Sequence, residues 1–231
     1  MPDDHITPTD RYYSERVARS DDLLWQVGKT VNGEPVDRKQ LQLIVGQIVS
    51  LLDLTPEDRV LDIGAGNGLL TNLVAPRCAQ VTGLERNRAL YEQALKHAAG
   101  NVSYVCQSLL EADWRTFGAG KAYLYEVVQH LSYPEVATFL HALTEALPAG
   151  GRVLLGGIPS ETEKWHFYAD AGRRACYLRA LAAGTDVMGT WYHPDFFRVL
   201  AQDLGLSCRI EPQPEALYTA FYRFDCLLSK P

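Results

Sequence analysis

At 231 residues the chain has room for one full domain, with at most an added lid. Its 47% hydrophobic content is that of an ordinary globular protein, and no apolar run approaches the ~18 residues of a membrane span. The formal net charge of −6 speaks against broad nucleic-acid binding, so neither a nucleic acid nor a membrane is expected as a partner.

The start, Met1-Pro2-Asp3-Asp4-His5, is acidic and lacks the basic and apolar regions of a secretory signal. Five scattered cysteines, Cys78, Cys106, Cys176, Cys208 and Cys226, show no metal-like spacing. Cys106, Cys208 and Cys226 fall inside apolar strand-like runs, so buried free thiols there and a reducing, cytoplasmic compartment are the expectation. Residues 1–36 are polar with interspersed aromatics and read as an N-terminal arm. Residues 37–54 carry Leu41, Ile44, Val45, Ile48, Leu51 and Leu52 at helical spacing, with Asp37 as N-cap. After the turn at 55–58, residues 59–61 read as a short buried strand. Residues 69–74 begin a helix. A strand over 80–84 ends at Glu85, a helix covers 87–98, and strands follow at 102–106 and 122–127. Residues 134–147 are a helix with Pro134 in its first turn, and 152–156 a strand. Residues 159–192 do not fit a strand and read as a helical insertion centred on 165–183. A last helix covers 194–204. Strands at 206–211 and 218–228, joined by Pro212-Gln213-Pro214, read as a closing antiparallel pair, in which Tyr222-Arg223-Phe224-Asp225 is strand core plus an edge charge. Alternating strands and helices predict a parallel sheet covered on both faces.

Between the first strand and its helix stands Asp62-Ile63-Gly64-Ala65-Gly66-Asn67-Gly68. Strand, glycine loop and helix form a nucleotide-binding arrangement in which the backbone can approach a ligand closely. An acid at the strand tip would repel a pyrophosphate and suits a ligand with a cationic end, such as an ammonium. Glu85 lies 23 residues on, one βαβ step away, where a carboxylate can accept both ribose hydroxyls of an adenosine.

VLDIGAGNG at 60–68 and GLER at 83–86 resemble the class I S-adenosylmethionine-dependent methyltransferases. The resemblance runs from about residue 40 to the C-terminus. It implies an α/β, Rossmann-like, doubly wound and mostly parallel seven-stranded sheet with an antiparallel last strand. It also implies S-adenosyl-L-methionine as cofactor. Asp62, Gly64, Ala65 and Gly66 would then hold its methionine part and Glu85 its ribose. Arg86 would lie along the adenine or be solvated. Ser108 and Leu109 stand where many of these enzymes place an adenine-binding acid.

Glu126 to His130 would face the reaction centre. Glu126 is read both as cofactor-binding and as catalytic. His130 is either a catalytic proton acceptor or a polar cap of the next helix. The segment also resembles a Glu-x-x-Glu-His metal pattern of ubiquinone-pathway and small-RNA methyltransferases. Gln129 replaces the second acid, so no metal is expected. Tyr12, Tyr13 and Trp25 of the arm, with Trp165, Tyr168 and His193 of the insertion side, are the candidate substrate-binding residues. Arginines there would suit an anionic group on a small-molecule acceptor. The expected activity is methyl transfer to oxygen or nitrogen, with carbon as a third option. A non-catalytic cofactor-binding subunit and a nicotinamide-dependent oxidoreductase are the rivals.

Overall fold

A capping box opens the described chain: Asp10 N–H donates to Thr7 Oγ1, and Thr7 N–H donates to Asp10 Oδ2. The computed structural model describes residues 7–231; the Met1–His5 stretch read above as free of a secretory signal lies outside the described residues. Helix α1 (Pro8–Arg19) and the single turn α2 (Leu23–Gln26) lead into a small antiparallel hairpin, β1 (Thr30–Val31) and β2 (Glu34–Pro35). Helix α3 (Arg38–Leu52) starts from Asp37, whose side chain accepts from the Gln40 N–H, and it buries Leu41, Ile44, Ile48 and Leu52. These are the positions that the helical spacing predicts.

The main alternation follows as β3 (Arg59–Ile63), α4 (Leu69–Val74), β4 (Gln80–Glu85), α5 (Arg88–Lys96), β5 (Val102–Cys106), β6 (Lys121–Tyr125), α6 (Tyr133–Ala146) and β7 (Arg152–Pro159). The insertion holds α7 (Lys164–Phe167) and α8 (Ala171–Ala183), and the chain closes with α9 (Pro194–Asp203), β8 (Ser207–Pro212) and β9 (Arg223–Ser229). The seven-stranded sheet has the order β5-β4-β3-β6-β7-β9-β8, with β9 antiparallel to both its neighbours. The fold is the Rossmann-like, doubly wound one that the resemblance implies. Strand order reverses between β3 and β6, which opens a crevice beyond their C-terminal ends.

Period-2 alternation distributes the core. Val60, Val81 and Tyr123 face α3, while Leu61, Leu124 and Leu155 face Phe139 and Leu140 of α6 and Phe197 of α9. Among the described residues no helix is long and apolar enough to cross a membrane.

Three boundaries differ from the sequence reading. Strand β6 stops at Tyr125 because Glu126 turns into the left-handed region at φ +60°. Strand β7 runs on to Pro159, and Ser160 bridges to Tyr192, so the insertion leaves and rejoins the sheet edge side by side. Strand β9 begins only at Arg223. The link before it folds inward around buried Gln213, whose Nε2 donates to Tyr125 Oη and Asp225 Oδ1.

The insertion is stapled back by its last turn. Thr190 N–H donates to Gln129 O at 2.8 Å, and Tyr192 Oη donates to Leu131 O at 2.6 Å. Gly189 makes this approach possible: its φ is +77°, and a Cβ would overlap the Gln129 carbonyl oxygen. Gly189→Ala should destabilise the chain by about 1–3 kcal/mol. Hydrogen exchange should accelerate across residues 185–192 while the sheet stays protected; unchanged exchange there would show that the staple is not tight.

Candidate active site

The crevice opens into a cavity of about 830 Å³, walled by the glycine loop, the strand tips, the arm and the insertion. Its floor on one side is the glycine loop. A Cβ on Gly64 would lie 2.5 Å from Val127 Cγ2, and one on Gly66, at φ +57°, would lie 3.1 Å from Val27 Cγ1. Only bare backbone fits at these two points. Ala65 completes the loop and is buried.

Asp62 is not the open carboxylate at a strand tip that the sequence suggests. It lies inside β3 and is buried, and its Oδ2 accepts from Thr71 Oγ1 at 2.6 Å and Tyr123 Oη at 2.7 Å. Burial pushes its pKa up to about 6 against the pull of those two hydroxyls. No hydrogen bond to Oδ1 occurs among the described residues, and the residue lines the cavity.

Glu85 ends β4 and accepts two backbone N–H groups, Gly66 at 2.9 Å on Oε2 and Asn87 at 2.6 Å on Oε1. Burial raises its pKa while those bonds oppose the rise. Each carboxylate oxygen retains a further lone pair for a ligand. Arg86 lines the cavity, but its guanidinium is committed to the arm: it donates to both Asp10 carboxylate oxygens and to Thr7 Oγ1. Ser108 and Leu109 line the far wall, where Ser108 Oγ accepts from the Leu110 N–H.

At the centre stands Glu126. Its Oε2 accepts from Lys29 Nζ at 3.0 Å, and its Oε1 is buried without a partner among the described residues. Burial would raise its pKa; Lys29 and then Arg223 outweigh it and hold the carboxyl below its ordinary range. His130 closes the short 3₁₀ turn 128–130, with Nε2 3.5 Å from Tyr13 Oη and the two rings edge to face. Burial, then the charges of Arg223 and Arg86, depress its pKa to about 4. The imidazole is therefore neutral near pH 7 and can accept a proton.

Of the expected substrate-side residues, Tyr12, Tyr13 and Tyr168 line the cavity, and Tyr168 stacks on Tyr177 with centroids 4.3 Å apart. Trp25, Trp165 and His193 do not. The Trp25 ring lies under the Arg16 guanidinium at 3.9 Å. Trp165 is 57% exposed, on the outer side of the aromatic cluster. His193 is spent as the N-cap of α9, where Nδ1 accepts from the Asp195 N–H.

Two contributors were not assigned from the sequence. Lys29 is nearly fully buried against Glu126 and Tyr125. Arg223 is not an edge charge: it is 7% exposed and donates to Gln129 Oε1 and Gly157 O. Gln129 thus carries a guanidinium. Among the described residues no three His, Cys, Asp or Glu side chains gather as a metal would need.

Against known proteins, residues 40–145 match the ribosomal RNA adenine dimethylase model. The chain is 35% identical over 78 residues to ribosomal RNA small subunit methyltransferase A of Halothermothrix orenii, covering 33% of this chain and 26% of that protein. It is 30% identical over 157 residues to the ubiquinone biosynthesis O-methyltransferase of Alkalilimnicola ehrlichii, covering 65% of this chain and 61% of that protein. The matches thus span less than two thirds of the length of these relatives. Among solved structures, magnesium protoporphyrin IX methyltransferase from Synechocystis PCC 6803 with bound SAH superposes with a TM-score of 0.65 at 15% identity, over 96% of this chain and 98% of that one. The cyclopropane synthase MmaA2 from Mycobacterium tuberculosis gives 0.67 at 14% identity, over 98% and 100%.

The matched family model and the solved neighbours are class I S-adenosylmethionine-dependent methyltransferases, and this chain has their fold. S-adenosylmethionine is the cofactor of that family, and it is bound in the Synechocystis enzyme. This chain's own geometry suits that cofactor: bare backbone at Gly64 and Gly66, a buried carboxylate with spare lone pairs at Glu85, and a carboxylate at Asp62.

The two buried titrating groups work in opposite directions. Asp62, raised to about 6, adds stability that is full below an unfolded value of about 3.8 and is lost as pH rises through 6. His130, lowered to about 4, adds stability that is full above about 6.5 and is lost as pH falls through 4. Asp62→Asn keeps an acceptor for Thr71 and Tyr123 and removes the charge that burial disfavours. Its melting temperature at pH 7.5 should equal or exceed that of the wild type. Its affinity for S-adenosylhomocysteine should drop by ~1.5–3 kcal/mol, the range for a hydrogen bond to a charged group. A stability loss with unchanged affinity would reverse the assignment.

Proposed function

We propose that this chain transfers the methyl group of S-adenosylmethionine to an oxygen or nitrogen of a small-molecule acceptor held between the arm and the insertion. One observation carries the reading. A single cavity runs from the glycine loop and Glu85 to the aromatic wall of Tyr168 and Tyr177, with His130 and Glu126 between. Its volume of about 830 Å³ lies in the upper part of the ~300–1,000 Å³ range of small-molecule sites, room for a cofactor and a second, smaller ligand.

S-adenosylmethionine, when bound, supplies an electrophilic methyl on a sulfonium. Asp62 and the loop backbone at 64–66 would hold its amino-acid end and Glu85 its ribose hydroxyls. The chain's own residues do the rest. Tyr13 positions His130 through the contact at Nε2. The neutral imidazole accepts the proton that an attacking hydroxyl or amine releases. Glu126, fixed by Lys29, holds a negative charge in the cavity that would favour a cationic group there. The arm and insertion exclude water, which strengthens each of these interactions.

The acceptor class is supported by where the matches fall. The ribosomal RNA adenine dimethylase match ends at residue 145, before the insertion, and begins at residue 40, after the arm. It therefore covers the cofactor half and leaves out both segments that wall the acceptor half. The ubiquinone-pathway relative acts on a small molecule, as does the magnesium protoporphyrin neighbour.

Radiolabelled S-adenosylmethionine offered to separated small-molecule and RNA fractions of a cell extract tests this. Label should enter the small-molecule fraction. His130→Gln should lower the rate by roughly 10²–10⁴-fold while S-adenosylhomocysteine affinity holds. The acid limb of kcat/KM, which reports the enzyme free of acceptor, should fall near pH 4 rather than near 6.5, following the depressed imidazole. Label confined to RNA would replace the acceptor reading, and a His130→Gln rate near wild type would remove the base.

A further inference from the structure

Arg223 is the first residue of β9, and β9 runs antiparallel to β7, so its beginning lies at the cavity end of the sheet. The register confirms the place: Arg223 stands opposite Pro159, the last residue of β7. Its side chain lines the cavity yet is 7% exposed. The donors of its guanidinium divide unevenly. Nη1 donates to Gln129 Oε1 and to Gly157 O, both neutral. Nη2 meets only Met188 Sδ at 3.8 Å, a weak acceptor. Nε has no partner among the described residues.

No carboxylate lies within ion-pair distance of Arg223 among the described residues, where Lys29, Lys121 and Arg86 all have one. Glu126 feels its field but is paired with Lys29. Asp225 lies two residues on, on the same face of β9, and its Oδ1 accepts from Gly157 N–H and Gln213 Nε2 without reaching ion-pair distance of Arg223. Of the two buried cations at this end of the cavity, Lys29 has an ion-pair partner and Arg223 has none among the described residues. A buried cation without a counter-ion is costly, and a protein keeps one where a ligand supplies the missing charge. The walls around it are apolar and aromatic: Tyr222 lies 5.0 Å from the guanidinium carbon, with Met188, Tyr168 and Tyr177 beyond.

We propose that Arg223 is the specificity-determining residue of the acceptor site, and that it binds an oxyanion, carboxylate or phosphate, carried by an apolar or aromatic acceptor. This rests on the reading of the cavity as a methyl-acceptor site. The free donors on Nη2 give the oxyanion a charge-assisted bond. The oxyanion also supplies the ion-pair partner that Arg223 lacks among the described residues. Arg173 lines the same cavity but is half exposed, so water screens it and it discriminates weakly.

The test uses the full chain saturated with S-adenosylhomocysteine and three probes: 4-hydroxybenzoate, phenyl phosphate and the neutral 4-hydroxybenzamide. Calorimetry on the wild type should show at least one oxyanion binding about tenfold or more tighter than the amide. The probe that wins identifies the oxyanion. Arg223→Gln should bring all three probes to similar affinity, Arg223→Lys should keep part of the preference as a point charge does, and Arg173→Gln should keep nearly all of it. The affinity for S-adenosylhomocysteine, read in the same variants, should stay within about threefold, which shows that each is folded. Equal binding of acid and amide, no binding of either oxyanion, or a preference that survives Arg223→Gln overturns the proposal. A wild type that fails to bind S-adenosylhomocysteine sinks the methyl-transfer reading instead.

Discussion

The Glu85 carboxylate takes the backbone N–H of Gly66 with one oxygen and that of Asn87 with the other. This double acceptance ties three things together: the glycine loop after β3, the tip of β4, and the first turn of α5. Bonds to a carboxylate are roughly twice as strong as neutral ones, and here they form in a buried setting. Asn87 carries the tie outward. Its Nδ2 donates to Asp10 O and to Ser14 Oγ on α1. The arm is thus part of the cofactor side as well as the acceptor side. Asn67 makes the same point, with Nδ2 donating to Leu23 O and to Gln26 Oε1 of the arm. Loop, strand tip and arm form one hydrogen-bonded body around the cavity.

The second constraint is electrostatic. Lys29, Glu126 and Arg223 meet from the arm, the end of β6 and the start of β9. Lys29 and Glu126 pair with each other, which leaves Arg223 without an ion-pair partner among the described residues. Burial, with the charges of Arg223 and Arg86, depresses the imidazole of His130 and makes it a weak base without an acceptor. An anionic acceptor would relieve Arg223 and raise that basicity, so the site strengthens its own base when the right molecule arrives. A metal at Gln129 would compete with a guanidinium already bonded there.

Much of the fold was legible because its signals are local. Asp37 caps α3, the glycine loop follows a buried strand, and Glu85 falls one βαβ step after Asp62. What the sequence hides is long-range. Lys29 and Glu126 are 97 positions apart. Glu126 adopts a left-handed φ that nothing in Tyr125-Glu126-Val127 announces. Arg223 leaves one trace, a cation at the head of Phe224-Asp225-Cys226-Leu227-Leu228, a stretch that by itself reads as strand core plus an edge charge. His193 shows the opposite error: His193-Pro194 is itself a helix-start signal, and local capping won over the pocket. Asp62 was found but misplaced, because spacing gives a residue's position on a strand and not whether Thr71 and Tyr123 close over it.

The cavity beyond β3 and β4 suits an adenosyl ligand with a cationic end better than a pyrophosphate, because carboxylates of Asp62 and Glu85 line it. Calorimetric titration of the full chain with S-adenosylhomocysteine and, separately, with NADH tests it most directly. The account predicts one site for S-adenosylhomocysteine with a dissociation constant in the micromolar range, about −8 kcal/mol, and no measurable heat with NADH. Silent titration with S-adenosylhomocysteine, or tighter binding of NADH, would contradict it.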